Sequence, residues 1–174
     1  MTGDTDRFIE LVKEGADVNE MADPAGANFS WGLLHLAAEQ FDIEIVRLLL
    51  DSGADIEAML TNGETPLSYA LKGDNMEIFH ILLEAGANPD PEMITTDNYD
   101  KSKHGPGFSP LRMAARRSLD DAVTELIELG VDVNKVDSFG ASALKHAESI
   151  NCIRALLSAG ANPDLSDNEG YSPI

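Results

Sequence analysis

One stretch, LLHLAAEQFDIEIVRLLLDSGADIE from Leu33 to Glu57, constrains this chain more than any other, because the chain repeats it. It returns as PLSYALKGDNMEIFHILLEAGANPD from Pro66 and as PLRMAARRSLDDAVTELIELGVDVN from Pro110. A shortened form, ALKHAESINCIRALLSAGANPD, begins at Ala143. DTDRFIELVKEGADVN from Asp4 gives its second half, and SPI from Ser172 its first residues. A recurrence of about 33 residues, holding two short helical patterns and a turn, builds a solenoid rather than a globule around one centre.

Each copy has a local physical logic. Thr65 and Ser109 stand where a helix N-cap belongs, and Pro66 and Pro110 follow at the first helical position, where a missing N–H costs nothing. Leu34, Ala37, Ala38 and Phe41 share one face of a first helix, and Ile45, Leu48 and Leu49 one face of a second. The alanines keep the first helix thin, so neighbours approach closely there. Gly15, Gly53, Gly86, Gly130 and Gly160 end the second helices in left-handed conformation. Asp17, Asp55, Asn88, Asp132 and Asn162 follow two residues later, suited to turns held by their own side chains.

This pattern resembles the ankyrin repeat, whose consensus runs G-x-T-P-L-H-x-A-A through L-L-x-x-G-A-D-V-N. The resemblance implies an all-α solenoid of helix–turn–helix units joined by β-hairpin finger loops, about five units with partial ends. It places one array over residues 1–174: a partial unit at about 1–20, units at 28–57, 61–90, 108–134 and 138–164, and a partial unit at 165–174. Residues 91–107 form an insertion loop between the third and fourth units. The family's variable positions, on fingers and first helices, map onto Asn28, Phe29, Trp31, Glu39 and Gln40 in the second unit. In the third they are Thr61, Asn62, Glu64 and Lys72, in the fourth Phe108, Arg116 and Arg117, and in the fifth Ser138, Phe139 and Ala141. His35 falls on the histidine of the TPLH motif, where the family's residue bridges neighbouring units by hydrogen bonds.

The function implied is a non-catalytic protein-binding module using a concave surface of fingers and first helices. Charge sharpens the expected partner. The chain carries 31 acidic and 12 basic residues, a formal net charge of −19, which repels nucleic acid and anionic membranes and attracts basic proteins. Residues 1–60 hold 13 acids and 3 bases, a balance of −10, against 10 acids and 6 bases, a balance of −4, in residues 109–174. The basic side of a partner is therefore expected towards the N-terminal units, and an inhibitor or immunity-type protein covering the cleft of a basic toxin or nuclease is the sharper form. The alternative is a regulatory or scaffolding fragment of a larger polypeptide whose activity lies elsewhere, suggested by the broken units at both ends. One cysteine forms no intramolecular disulfide and suits a reducing compartment. No run of about twenty apolar residues and no secretory signal pattern is present, so a cytoplasmic monomer is expected.

Departures from the repeat mark places to watch. Gly32 and Leu33 replace the usual Thr-Pro, leaving that helix start less well specified. Phe29 and Trp31 lie near a finger tip, and Trp31 either folds back onto the array or forms an exposed aromatic anchor. Tyr69 takes an apolar position, so its hydroxyl needs a partner or solvent. From Gly86 to Gly130 the spacing is 44 residues, against 33 from Gly53 to Gly86, yet the repeat resumes in phase. A loop off one face explains that. The fifth unit is three residues short between Leu144 and Gly160, so its first helix ends early or its inter-helix turn tightens near residues 148–151.

Chemistry-bearing motifs are missing: no phosphate loop, zinc cysteine pair, His pair at i, i+4 or serine elbow. No cofactor or metal is expected. His80 and His146 lack ligand spacing, and Cys152 reads as a small buried apolar group.

Overall fold

The computed structural model describes residues 10–19, 32–40, 42–60, 62–92, 109–137 and 139–173. Residues 10–13 are helical and turn at Glu14 and Gly15. Four helix pairs follow, a short first helix and a longer second in each: α1 (Leu33–Glu39) with α2 (Ile43–Asp51), and α3 (Pro66–Lys72) with α4 (Met76–Glu84). Next come α5 (Pro110–Arg116) with α6 (Asp120–Glu128), and α7 (Ala143–His146) with α8 (Ile150–Ser158). The first helices pack in file, α1 on α3, α3 on α5 and α5 on α7. This is the all-α solenoid the repeat predicts.

Caps set the helix starts. Thr65 accepts the N–H of Ser68, and the Ser68 hydroxyl accepts that of Thr65, a reciprocal capping box ahead of α3. Ser109 accepts the Arg112 N–H ahead of α5. Gly32 provides no side-chain bond to α1, as its replacement of threonine foretells. Asp42 and Asn75 cap α2 and α4. Between helices the chain turns through left-handed residues, Asp74 at φ 60° and Ser118 at φ 58°.

The core is a continuous seam. Ala37, Ala38, Ala70, Ala114 and Ala115 are buried along the first helices, so the backbones come close. At Gly73 an added Cβ would stand 2.5 Å from the Glu39 carbonyl oxygen. The second helices contribute Val46, Leu49, Ile78, Phe79, Leu82, Val123, Leu126 and Leu156, each fully buried and each removing about 1.5–3 kcal/mol of apolar exposure. Thus α2 centres its buried face on Val46 and Leu49, while Ile45 and Leu48 are only half-buried. At the N-terminal end Val12 is buried and faces the next unit, whereas Leu11 is 40% exposed. Phe41 lies outside the described residues.

Turns after the second helices follow one rule. Asp17, Asp55, Asn88, Asp132 and Asn162 each accept, through Oδ1, the N–H two residues on, at 2.9–3.0 Å. The shortfall in the fifth unit is taken by its first helix, since α7 spans four residues and Ala147 leaves it extended at ψ 122°.

Candidate binding surface

The fingers are tight hairpins. Leu60 N–H donates to the Glu64 carbonyl at 3.0 Å, Asp137 N–H to Ala141 at 3.0 Å, and Asp167 N–H to Tyr171 at 3.0 Å. Val136 and Ser142 form an antiparallel bridge beside the second of these. Asp137 Oδ1 accepts the N–H groups of Phe139 (2.8 Å) and Ala141 (2.9 Å), and Asp167 Oδ1 those of Glu169 and Tyr171 (2.9 Å each).

In the second, fourth and fifth units the residue after the leading leucine reaches from the first helix into the next finger, whereas Ser68 of the third serves its own cap. Fully buried His35 donates from Nε2 to the Glu64 carbonyl at 3.2 Å, which bears out a bridging role. Burial drives its pKa down to about 4, against the pull of carbonyls at Glu64 and Ala58, so it is neutral at pH 7. Its ring meets Tyr69 edge-on, centroids 5.2 Å apart. Arg112, 1% exposed, faces Asp137 with Nη2 to Oδ2 at 3.8 Å, and His146 Nε2 stands 3.5 Å from the same oxygen. Burial would raise the Asp137 pKa, but His146, the Ala141 N–H, the Arg112 charge and the Phe139 N–H together hold it below the usual carboxylate range. Lys145 pairs with Asp167 and donates to the Tyr171 carbonyl at 3.1 Å. That ammonium foremost, then the Tyr171 N–H, lowers the Asp167 pKa. The finger position of Asp137 and Asp167 is Leu60 in the third unit, so cations meet aspartates and a neutral imidazole meets a leucine-bearing finger.

A second set of ties escaped the sequence reading. The fourth residue after each of the first four of these glycines (Gly15, Gly53, Gly86 and Gly130) clasps the following unit: Asn19 accepts from Asp55 N–H (2.7 Å) and donates to the Gly53 carbonyl (3.1 Å). Glu57 accepts from Asn88 N–H (2.6 Å), Asp90 from Asp132 N–H (3.1 Å), and Asn134 from Asn162 N–H (2.7 Å). The signal was present, since every such position carries Asn, Asp or Glu. Lys135 adds bonds to the carbonyls of Asp90 (3.1 Å) and Pro91 (2.8 Å) and to the Asp90 carboxylate (2.9 Å), pinning residues that lead into the insertion. On the second helices, His80 Nε2 meets Glu125 Oε2 at 2.9 Å.

Against this frame the expected contact residues divide. Glu39 and Lys72 meet across α1 and α3 at 3.2 Å, and Lys72 Nζ lies 4.2 Å from the Tyr69 ring centroid. Gln40, Arg116 and Arg117 are exposed at the C-terminal ends of α1 and α5, and Phe139 is 38% exposed on its finger. Asn62 is half-buried, its Oδ1 accepting the Glu64 N–H at 3.2 Å, so it shapes the turn. Glu64 and Ala141 are corrected. Glu64 is 6% exposed, turned in to bond the Tyr69 hydroxyl, and Ala141 is 5% exposed, closing its hairpin on Asp137. Neither presents a side chain outward. Tyr69 thereby has its hydroxyl partner, and burial, with the charges of Glu64 and Glu39, raises its pKa. Asn28, Phe29, Trp31, Thr61, Phe108 and Ser138 lie outside the described residues.

Cys152 is fully buried, as expected, but is not merely apolar. Its thiol donates to Asp120 Oδ1 at 2.9 Å, joined there by the Ser149 hydroxyl (2.7 Å), while Asn151 donates to Oδ2 (2.8 Å). Burial and that carboxylate push the thiol up to about 12, too high for a ready nucleophile. The same bonds, led by the thiol's, lower Asp120 to about 2. Among the described residues, no cluster of His, Cys, Asp and Glu is arranged to hold a metal ion, and no helix is long and apolar enough to cross a membrane.

A family profile described as ankyrin repeats in three copies matches residues 1–93, and one for a single ankyrin repeat matches residues 106–138. Neurogenic locus notch homolog protein 2 of Homo sapiens is 34% identical over 165 residues, covering 93% of this chain. Neurogenic locus notch homolog protein 1 of Xenopus tropicalis is 33% identical over 168 residues (95% of this chain), and that of Danio rerio 33% over 172 (97%). The chain spans 6% of the length of each of these relatives. With helix pairs, fingers and inter-unit ties as described, the chain belongs to the ankyrin-repeat family, whose repeats mediate protein–protein interaction.

Proposed function

We propose that the chain is a cytoplasmic, monomeric, non-catalytic binding module that docks a basic protein partner on its fingers and first helices. One observation carries the reading. Inter-unit ties at His35, Arg112 and Lys145 lie inside the frame, while Gln40, Arg116, Arg117 and Phe139 stand outside it on the finger and first-helix side. A fixed frame with exposed polar and aromatic side chains needs little ordering when a partner binds. Trp31 is assigned as the aromatic anchor, and the acidic N-terminal units as the part that steers a basic surface. An inhibitor covering a basic cleft is the narrower form, supported by the charge of −19.

Affinity capture from the native cell with identification by mass spectrometry tests this. Trp31→Ala and Gln40→Arg should each lose the wild-type partner with Tm essentially unchanged, and the partner should be basic. A large fall in Tm on Trp31→Ala would reassign that ring to the core. Acidic or neutral partners alone would remove the charge argument.

A second reading, a regulatory section of a larger polypeptide, is favoured by relatives in which the matching segment is 6% of the whole. A reading frame running on past Ile174 would support it.

A further inference from the structure

Each first helix has a face turned to the unit before it. Gly73 of α3 looks straight at α1, since a Cβ there would stand 2.5 Å from the Glu39 carbonyl oxygen. One unit back, α1 carries Gln40 at that position, Ala37 where α3 has Ala70, Leu36 where it has Tyr69 and Leu33 where it has Pro66. In the later units this face is sealed. Pro66, Tyr69 and Ala70 are buried on α3, which packs on α1, and Pro110, Met113 and Ala114 on α5, which packs on α3. On the second helices Ile78, Ala122 and Cys152 are fully buried at the position of Ile45.

In the first helix pair the same face is open. Leu33, Leu36 and Ile45 are half-buried and Gln40 is exposed. With Ala37 and Asp42 they line a hollow of about 130 Å³ between α1 and the start of α2. Among the described residues no first helix stands before α1, because residues 10–19 supply the end of a second helix and its turn. The opposite face shows the converse: Val46, Phe79 and Val123 are fully buried, and Ile153, in the last pair, is half-buried. The hollow is too small for a cofactor or drug-sized ligand, whose pockets run to roughly 300–1,000 Å³, but it has room for an aliphatic side chain.

Shape and charge both say what fits. The same face meets a helix wherever it is sealed, at the α1–α3 and α3–α5 joints. Its rim is acidic: Asp42 lines the hollow without a cation beside it in the lining, Glu39 ends α1, and residues 1–60 hold 13 acids against 3 bases. At the α1–α3 joint Lys72 meets Glu39 at 3.2 Å. Moved back one unit, Glu39 itself takes the place of Lys72, so a helix in front of α1 must end in a base rather than an acid.

We infer that the hollow before α1 is where a helix of the basic partner joins the file of first helices. It seats one aliphatic side chain among Leu33, Leu36 and Ile45 and sets a Lys or Arg of its last turn against Glu39 and Asp42. Gln40, longer than glycine, holds that helix further off than α1 stands from α3, and its amide answers a carbonyl at the arriving C-terminus. The inference rests on the proposed docking of a basic protein at the N-terminal units, and adds the element that docks and its seat.

The full chain, with Leu and Ile methyl groups labelled, is titrated with an alanine-based peptide of about twenty residues, long enough to be helical by itself, carrying a leucine stripe and lysines in its last turn. It should move the methyl signals of Leu33, Leu36 and Ile45, and the same peptide with Glu for Lys should bind roughly tenfold more weakly. Gln40→Arg, at an exposed position, should weaken the lysine peptide and strengthen the glutamate one with Tm unchanged. Leu36→Ser should weaken both alike, the remaining methyl spectrum showing that the chain is folded. Shifts that are absent or that fall elsewhere would overturn the seat. So would Leu33, Leu36 and Ile45 signals that move with chain concentration alone, which would put a second copy there, or cross-peaks from Leu36 and Ile45 to residues 1–9 or 20–31 in the free chain. The wider docking reading is judged separately by the captured partner. An acidic partner defeats it whatever the peptides do, and a basic partner lost by Trp31→Ala but kept by Leu36→Ser leaves it standing and removes the seat.

Discussion

His35 shows how much one side chain does in this frame. It is sealed between α1 and the next finger, keeps its ring neutral, and holds its proton on Nε2 for the Glu64 carbonyl. Its pKa falls from 6.5 to about 4, so the unfolded chain takes up a proton first as the medium is acidified. The stabilisation from the neutral ring is therefore complete above pH 6.5 and is lost as pH falls towards 4, by an amount on the order of 3 kcal/mol. His35→Gln, which keeps a donor but cannot titrate, should lack that part of the decline when Tm is followed from pH 7 to 4. A parallel decline in both proteins would mean that other groups dominate. At this scale the sequence was legible wherever a residue serves its own turn, as with Thr65, Ser109 and the Asp or Asn two places after each glycine. It was misread at Glu64 and Ala141, because the repeat tells which residues lie on a finger but not which way a side chain turns once a neighbouring unit covers it. Cys152 was read as apolar for a similar reason, its hydrogen-bond partner being 32 residues away.

At the level of the helix, two glycines separate conformational strain from crowding. Gly86 ends α4 at φ 98° with nothing within 4 Å of a built Cβ, so Gly86→Ala meets backbone strain alone and should cost about 1–2 kcal/mol. Gly73 follows α3 at φ −77°, which any residue accepts, but its Cβ would press to 2.5 Å on the Glu39 carbonyl oxygen. Gly73→Ala must part α1 from α3, so it should cost more than Gly86→Ala in urea melts and should also weaken the Glu39–Lys72 pair. Equal costs would show that the α1–α3 step yields easily. Helix positions were readable from alanine and leucine spacing, and the early end of α7 from a three-residue deficit. Of the ties that align one pair with the next, the family resemblance anticipated a bridging role for His35 alone; Arg112 to Asp137 and Lys145 to Asp167 were not read, because they are pairings between copies and periodicity describes each copy by itself.

Over the whole molecule, stability is local and the binding reading is not. Among the described residues the main helix contacts lie within a unit or between successive units, so the first helices form one surface because successive latches and clasps repeat the same offset. The repeat carried the architecture of the chain, but left the partner open. If the acidic N-terminal units steer a basic protein, its association rate should fall steeply as salt rises from about 0.05 to 0.5 M, while dissociation changes little. A salt-independent association rate would leave the charge of −19 without a part in recognition. The central claim is that the face built by fingers and first helices does the docking. Hydrogen–deuterium exchange of the chain with and without its captured partner measures this most directly. Protection should gather on residues 36–40, 69–73 and 113–117 and on the fingers, with the outer faces of α2, α4 and α6 unchanged; protection confined to those outer faces would contradict it.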